Sequence, residues 1–77
     1  MSRYNIDMAY RSQGQFETRL EVCLDNLRIA IFYAKYSVKT EGVELIPQAD
    51  IDDLESMNEK IKAILDKSFV HFLDQDD

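Results

Sequence analysis

Apolar residues recur along this chain at intervals of three and four, the spacing of one face of an α-helix. In the first half the intervals alternate between four and three, and this heptad-like pattern predicts a helix over about 15–40. In the second half a similar face predicts a helix over about 51–73. The predicted face of the first helix is Phe16, Leu20, Cys23, Leu27, Ala30, Ile31, Ala34 and Val38, and that of the second is Ile51, Leu54, Met57, Ile61, Ile64, Leu65, Phe69 and Phe72.

The residues between the two helices carry signals for the helix ends. Gly42 is expected to cap the first helix, because glycine readily adopts the left-handed conformation found there. Asp50 is expected to be the N-cap of the second helix, because its carboxylate can accept a hydrogen bond from the first turn. Residues 41–50 are therefore a predicted connector. Its three apolar residues are expected to fold back against the end of the helix pair: Val43, Leu45 and Ile46.

Residues 1–14 allow two interpretations. Ile6, Ala9 and Gln13 continue the face of the first helix, so that this helix could extend towards the N-terminus. Gly14 interrupts the extension at a cost of about 1 kcal/mol relative to alanine, and a break there would leave a separate N-terminal arm. The sequence leaves both open.

Two helices of matched length and a short connector predict an all-α antiparallel hairpin, with residues 1–77 as a single domain. An isolated hairpin buries one line of side chains and is only marginally stable. We therefore expect two hairpins to pair into a dimeric four-helix bundle.

The first helix carries more apolar surface than one neighbouring helix can cover. A second strip of apolar residues lies away from the predicted face and makes part of the helix apolar on nearly all sides, which is typical of a helix buried on more than one side. The N-terminal arm, a second copy of the chain or a different protein could cover it. The predicted interface consists of Val22, Ile29, Tyr33 and Tyr36 of this strip together with Phe32, which the helical repeat places among charged residues, next to Arg28 and Lys35. These five interface residues are called the second strip below.

The charge of the chain is unevenly distributed. Residues 1–40 carry six basic and four acidic side chains, whereas residues 41–77 carry three basic and eleven acidic ones. The resulting net charge of −6 argues against direct binding to nucleic acid, because proteins that wrap a duplex neutralise its phosphates with a basic excess. No uncharged run exceeds six residues and no signal-peptide pattern follows the first methionine, so that a cytoplasmic protein without membrane contact is expected.

Residues that could perform chemistry are few. Cys23 is expected to be buried in the helix pair and unreactive, and one cysteine with one histidine cannot form a Cys/His zinc site. We therefore predict no catalytic residue, metal or cofactor. A site for a small anionic ligand or nucleotide between protomers is conceivable, because tyrosine rings and guanidinium groups can hold an anion. Its candidate residues are Tyr10, Arg11, Arg28 and Tyr36.

The function predicted from these features is that of a non-enzymatic protein–protein interaction module acting as a homo-oligomer. It would be a small acidic adaptor, a chaperone or an inhibitor of a larger assembly, with itself and another protein as partners. The first alternative is a binder of a small anionic ligand at the protomer interface. A further alternative is an inhibitor whose carboxylates on the second helix imitate nucleic acid.

Overall fold

The computed structural model describes residues 6–75, which form two long helices packed side by side. Helix α1 spans Ile6–Tyr36 and helix α2 spans Gln48–Asp74. Tyr10 near the start of α1 contacts Phe72 near the end of α2, with ring centroids 5.0 Å apart. The helices are therefore antiparallel, which confirms the predicted all-α hairpin.

The N-terminal segment belongs to α1 as far as it is described. The helix begins at Ile6 and passes through Gly14 without a break. Residues 6–14 therefore extend α1, and the alternative prediction of a separate N-terminal arm is wrong for these residues. Gly14 is exposed and has no side chain within 4 Å of a Cβ placed there, so its cost is only that of intrinsic helix propensity. Residues 1–5 lie outside the described part of the chain.

The end of α1 differs from a regular helix. Its last turn widens into a π-helical turn over Ser37–Glu41, and Gly42 follows at φ 69° as the predicted cap. The backbone carbonyl of Ser37 accepts the N–H groups of Gly42 and Val43, while the buried Ser37 hydroxyl donates to the Val43 carbonyl at 2.8 Å. These bonds satisfy carbonyl and amide groups that a helix end otherwise leaves unpaired.

Helix α2 begins earlier than predicted, and Asp50 is not its N-cap. Pro47 takes that position, and its carbonyl accepts the N–H groups of Asp50 at 2.9 Å and Ile51 at 3.2 Å. The fixed φ of proline already suits the entry into a helix. The connector is therefore only residues 42–47. A segment this short cannot fold back over the helices, so the predicted plug is wrong: Val43 and Leu45 are exposed, and only Ile46 is half-buried.

The contact between the helices is a narrow seam of side chains spaced alternately three and four residues apart. Leu24, Ile31 and Ala34 of α1 and Ile51 of α2 are buried in it. The predicted face was too wide, because two facing helices cover only about two positions in seven. Several residues placed on that face are exposed, namely Phe16, Cys23, Ala30, Val38, Met57, Ile64 and Phe69. The half-buried members of the seam are Leu20, Leu27, Leu54, Asn58, Ile61, Leu65, Ser68 and Phe72.

Polar residues interrupt the seam at two levels. Near the open end of the hairpin, where α1 begins and α2 ends, the Gln13 amide donates a hydrogen bond to the Ser68 hydroxyl at 2.8 Å, so that this pair is satisfied. Further along, the buried Oδ1 atom of Asn58 has no hydrogen-bond partner among the described residues. A single asparagine in a helical seam is a known device for fixing how two helices align.

The molecule is a rod rather than a globule. Its principal extents are 58 × 17 × 13 Å and its radius of gyration is 17.5 Å, whereas a compact domain of this length has one of about 11.5 Å. Long helices with a single neighbour leave most of their circumference in contact with solvent. The surfaces that remain exposed are therefore the candidate sites.

Candidate interaction surfaces

The second strip lies on the side of α1 that faces away from α2. Val22, Ile29 and Tyr36 are seven residues apart, and at the helical repeat they point opposite to the buried Leu24 and Ile31. All five residues of the strip are between 42% and 58% exposed. No other described segment of the chain covers them, since residues 6–14 are part of α1 itself.

Three aromatic rings form the most prominent part of this strip. The Phe32 ring meets Tyr33 edge-on at 5.4 Å between centroids and lies over Tyr36 at 5.8 Å. Edge-on and offset arrangements of this kind are the favourable geometries for aromatic pairs. The three rings therefore form one contiguous, exposed aromatic surface.

The hairpin has two flanks, one on each side of the seam. Charged residues recur on one flank of both helices, with Arg28 and Lys35 four positions after Leu24 and Ile31, and Glu55 four positions after Ile51. The Lys35 ammonium and the Glu55 carboxylate on this flank form an ion pair at 2.6 Å. Shallow grooves beside the seam are lined by Glu21, Arg28 and Lys62. This charged flank consists of Glu21, Arg28, Lys35, Glu55 and Lys62, with Phe69 continuing it at the open end.

On the opposite flank, some of the residues one position before a seam residue are apolar, while others are charged, such as Asp53 before Leu54 and Lys60 before Ile61. Cys23 and Ala30 precede Leu24 and Ile31 on α1, and Ile64 precedes Leu65 on α2. Because the helices are antiparallel, these positions come together on the same side of the hairpin. This apolar flank consists of Phe16, Cys23, Ala30, Met57 and Ile64, all exposed.

Cys23 is therefore not buried as predicted. Its thiol is free and exposed on the apolar flank. The periodicity of the sequence placed it in the seam because the predicted arc covered both the seam and this flank. The neighbouring Leu24 takes the buried position instead.

The four residues predicted to bind an anionic ligand do not meet within one chain. Tyr10 and Tyr36 are 26 positions apart on one continuous helix, which corresponds to about 39 Å. Tyr10 packs on Phe72 at the open end, whereas Arg28 pairs with Asp25 at 3.8 Å near the middle. A site that used Tyr10 and Arg11 together with Arg28 and Tyr36 would have to be shared between copies.

The described part of the chain offers neither a metal site nor a membrane-spanning helix. Within residues 6–75, no three histidine, cysteine or carboxylate side chains come close enough to hold a metal ion. None of the helices described is sufficiently long and apolar to span a bilayer.

No protein-family model matches the chain, and neither the curated proteins nor the solved structures include a protein with detectable similarity to it. The function must therefore be inferred from the surfaces themselves.

Proposed function

We propose that this chain is a non-enzymatic protein–protein interaction module that acts as a homo-oligomer and docks another protein on the second strip. The observation that carries the proposal is the exposure of all five strip residues along one side of α1. An adaptor, a chaperone and an inhibitor of a larger assembly would all act through such a surface.

The spacing of the strip indicates the kind of partner. Val22, Ile29, Tyr33 and Tyr36 lie on one line of α1 and span 14 positions, which is about 21 Å. Intervals of seven, four and three are those of a helix seam, and they suit the apolar face of a second α-helix. The proposed occupant is therefore an amphipathic helix of a different protein.

The aromatic content of the strip supports tight binding. Aromatic residues are enriched among the few interface residues that contribute most of the binding energy. Phe32, Tyr33 and Tyr36 bury a large area at a low entropic cost, because their rings are already in contact with one another.

A glutamate in the strip is expected to weaken partner binding while the hairpin stays folded. Ile29→Glu should weaken binding of the partner at least about tenfold, because a carboxylate would be desolvated in an apolar contact. The full-length chain, captured from its native source with a tag, identifies the partner by mass spectrometry, and titration of that partner against each variant measures the effect.

Ala63→Glu is the matched control for this experiment. Ala63 is exposed on the outer side of α2, so the same charge is added to the other helix away from the strip. Its partner binding should equal that of the unmodified chain. A partner that binds Ile29→Glu as tightly as it binds the unmodified chain would refute docking on the second strip.

A further inference from the structure

We infer that the apolar flank, and not the second strip, is the surface on which a second copy of this chain packs to form a four-helix bundle. The inference extends the proposed function by assigning the two apolar surfaces to different occupants. It does not depend on whether the second strip binds another protein.

Geometry separates the two surfaces. In a four-helix bundle built from two hairpins, each hairpin presents a face to which both of its helices contribute. The apolar flank meets this condition, with Cys23 and Ala30 from α1 and Met57 and Ile64 from α2. The second strip belongs to α1 alone and points away from α2, so that contact through it would place the four helices in a row.

Exposed edges of the seam add to the apolar flank. Leu20 and Leu27 of α1 and Leu54 and Ile61 of α2 are only half-buried within one chain. Each of them lies three positions before a residue of the apolar flank, so that it faces the same side of its helix. A second hairpin on this flank would complete their burial, which no packing on the charged flank or the second strip would do.

The surface area of the chain is consistent with such a contact. The chain exposes 6077 Å² at a mass of 9.0 kDa, whereas a folded monomer of this mass exposes about 4,900 Å². The surplus of roughly 1,200 Å² exceeds the ~800 Å² that each partner buries in a standard stable interface. The excess is therefore large enough for contact with one further copy of the hairpin, on whichever side that copy packs.

The charges favour one arrangement of the two hairpins. Helix α1 carries four acidic and four basic side chains, whereas α2 carries seven acidic and three basic ones. Two α2 helices side by side would repel each other, because both carry a net negative charge. The inferred bundle therefore sets each α2 against the partner's α1, with the two α2 helices diagonally apart and both second strips facing solvent.

Sedimentation equilibrium at about 100 µM protein tests the inference, since self-association depends on concentration by mass action. The unmodified chain should have twice its mass of 9.0 kDa. Ile64→Glu should raise the dimer dissociation constant at least about tenfold, because two-fold symmetry introduces the buried charge twice. Phe32→Glu is the matched control on the second strip and should remain as dimeric as the unmodified chain.

Ala30→Glu is the second variant, because Ala30 is exposed in the single hairpin and its replacement removes no seam contact. It should also dissociate the dimer, and far-UV circular dichroism at matched concentration reports its helix content. A monomeric unmodified chain, a dimer that survives Ala30→Glu, or a dimer that Phe32→Glu dissociates would each overturn the inference. Loss of partner binding in Ile29→Glu bears only on the second strip, so failures of the two proposals are distinguishable.

Discussion

Ile51→Ala is expected to lower the free energy of unfolding by about 3 kcal/mol, the largest loss from any single truncation of the seam. Ile51 is only 1% exposed and is the largest side chain that is fully buried in the described chain. It lies in the first turn of α2, where its N–H also bonds to the Pro47 carbonyl at 3.2 Å. Its removal would leave a cavity at the closed end of the hairpin, which also holds the buried Ala34 and Ser37.

This loss is large relative to the stability of so small a protein, which is of the order of 5 kcal/mol. Urea unfolding followed by circular dichroism, at one fixed protein concentration, measures the change. Ile29→Ala is the matched control, because Ile29 is an isoleucine that is exposed on the second strip. It should change stability by no more than about 0.5 kcal/mol. Equal losses for the two variants would contradict the position of the seam.

Asn58→Leu is expected to stabilise the chain by about 2 kcal/mol, which corresponds to a rise in melting temperature of roughly 8–16 °C. The Oδ1 atom of Asn58 is shielded from solvent and has no hydrogen-bond partner among the described residues. Leucine has nearly the same shape as asparagine and would replace this penalty with apolar burial. The same change could relax the alignment of the two helices, because the polar residue specifies it.

Asn26→Leu separates burial from helix propensity. Asn26 is exposed on α1, so that this substitution gives the same gain in propensity without filling a buried site. It should raise stability by at most about 0.5 kcal/mol. If thermal unfolding shows no greater gain for Asn58→Leu than for Asn26→Leu, the unsatisfied amide oxygen is not a cost to this fold.

The periodicity of the sequence was sufficient to predict the two helices and the Gly42 cap. It could not predict the width of the contact, because an arc of apolar residues does not reveal how many helices share it. Cys23 was misplaced for this reason, whereas Leu24 was not recognised as buried. The start of α2 was also missed, because carboxylates such as Asp50 suit both an N-cap and a first turn.

The candidate surfaces were predictable to different degrees. The second strip was found from the sequence, because its residues follow a helical repeat of their own and all are exposed in the single hairpin. The apolar flank was not recognised as a separate surface. That required the antiparallel pairing, which brings Ala30 and Ile64 to one side and the charged Lys35 and Glu55 to the other.

The most direct test of the account compares how fast thiols on the two apolar surfaces react in the purified protein at the concentration of the dimer. One thiol is the native Cys23 on the apolar flank, and the other is introduced by Ile29→Cys in a chain that also carries Cys23→Ser. The thiol at position 29 should react at least about ten times faster, because reaction requires exposure and the partner copy covers only Cys23. A protected thiol at position 29 together with a freely reactive Cys23 would contradict it.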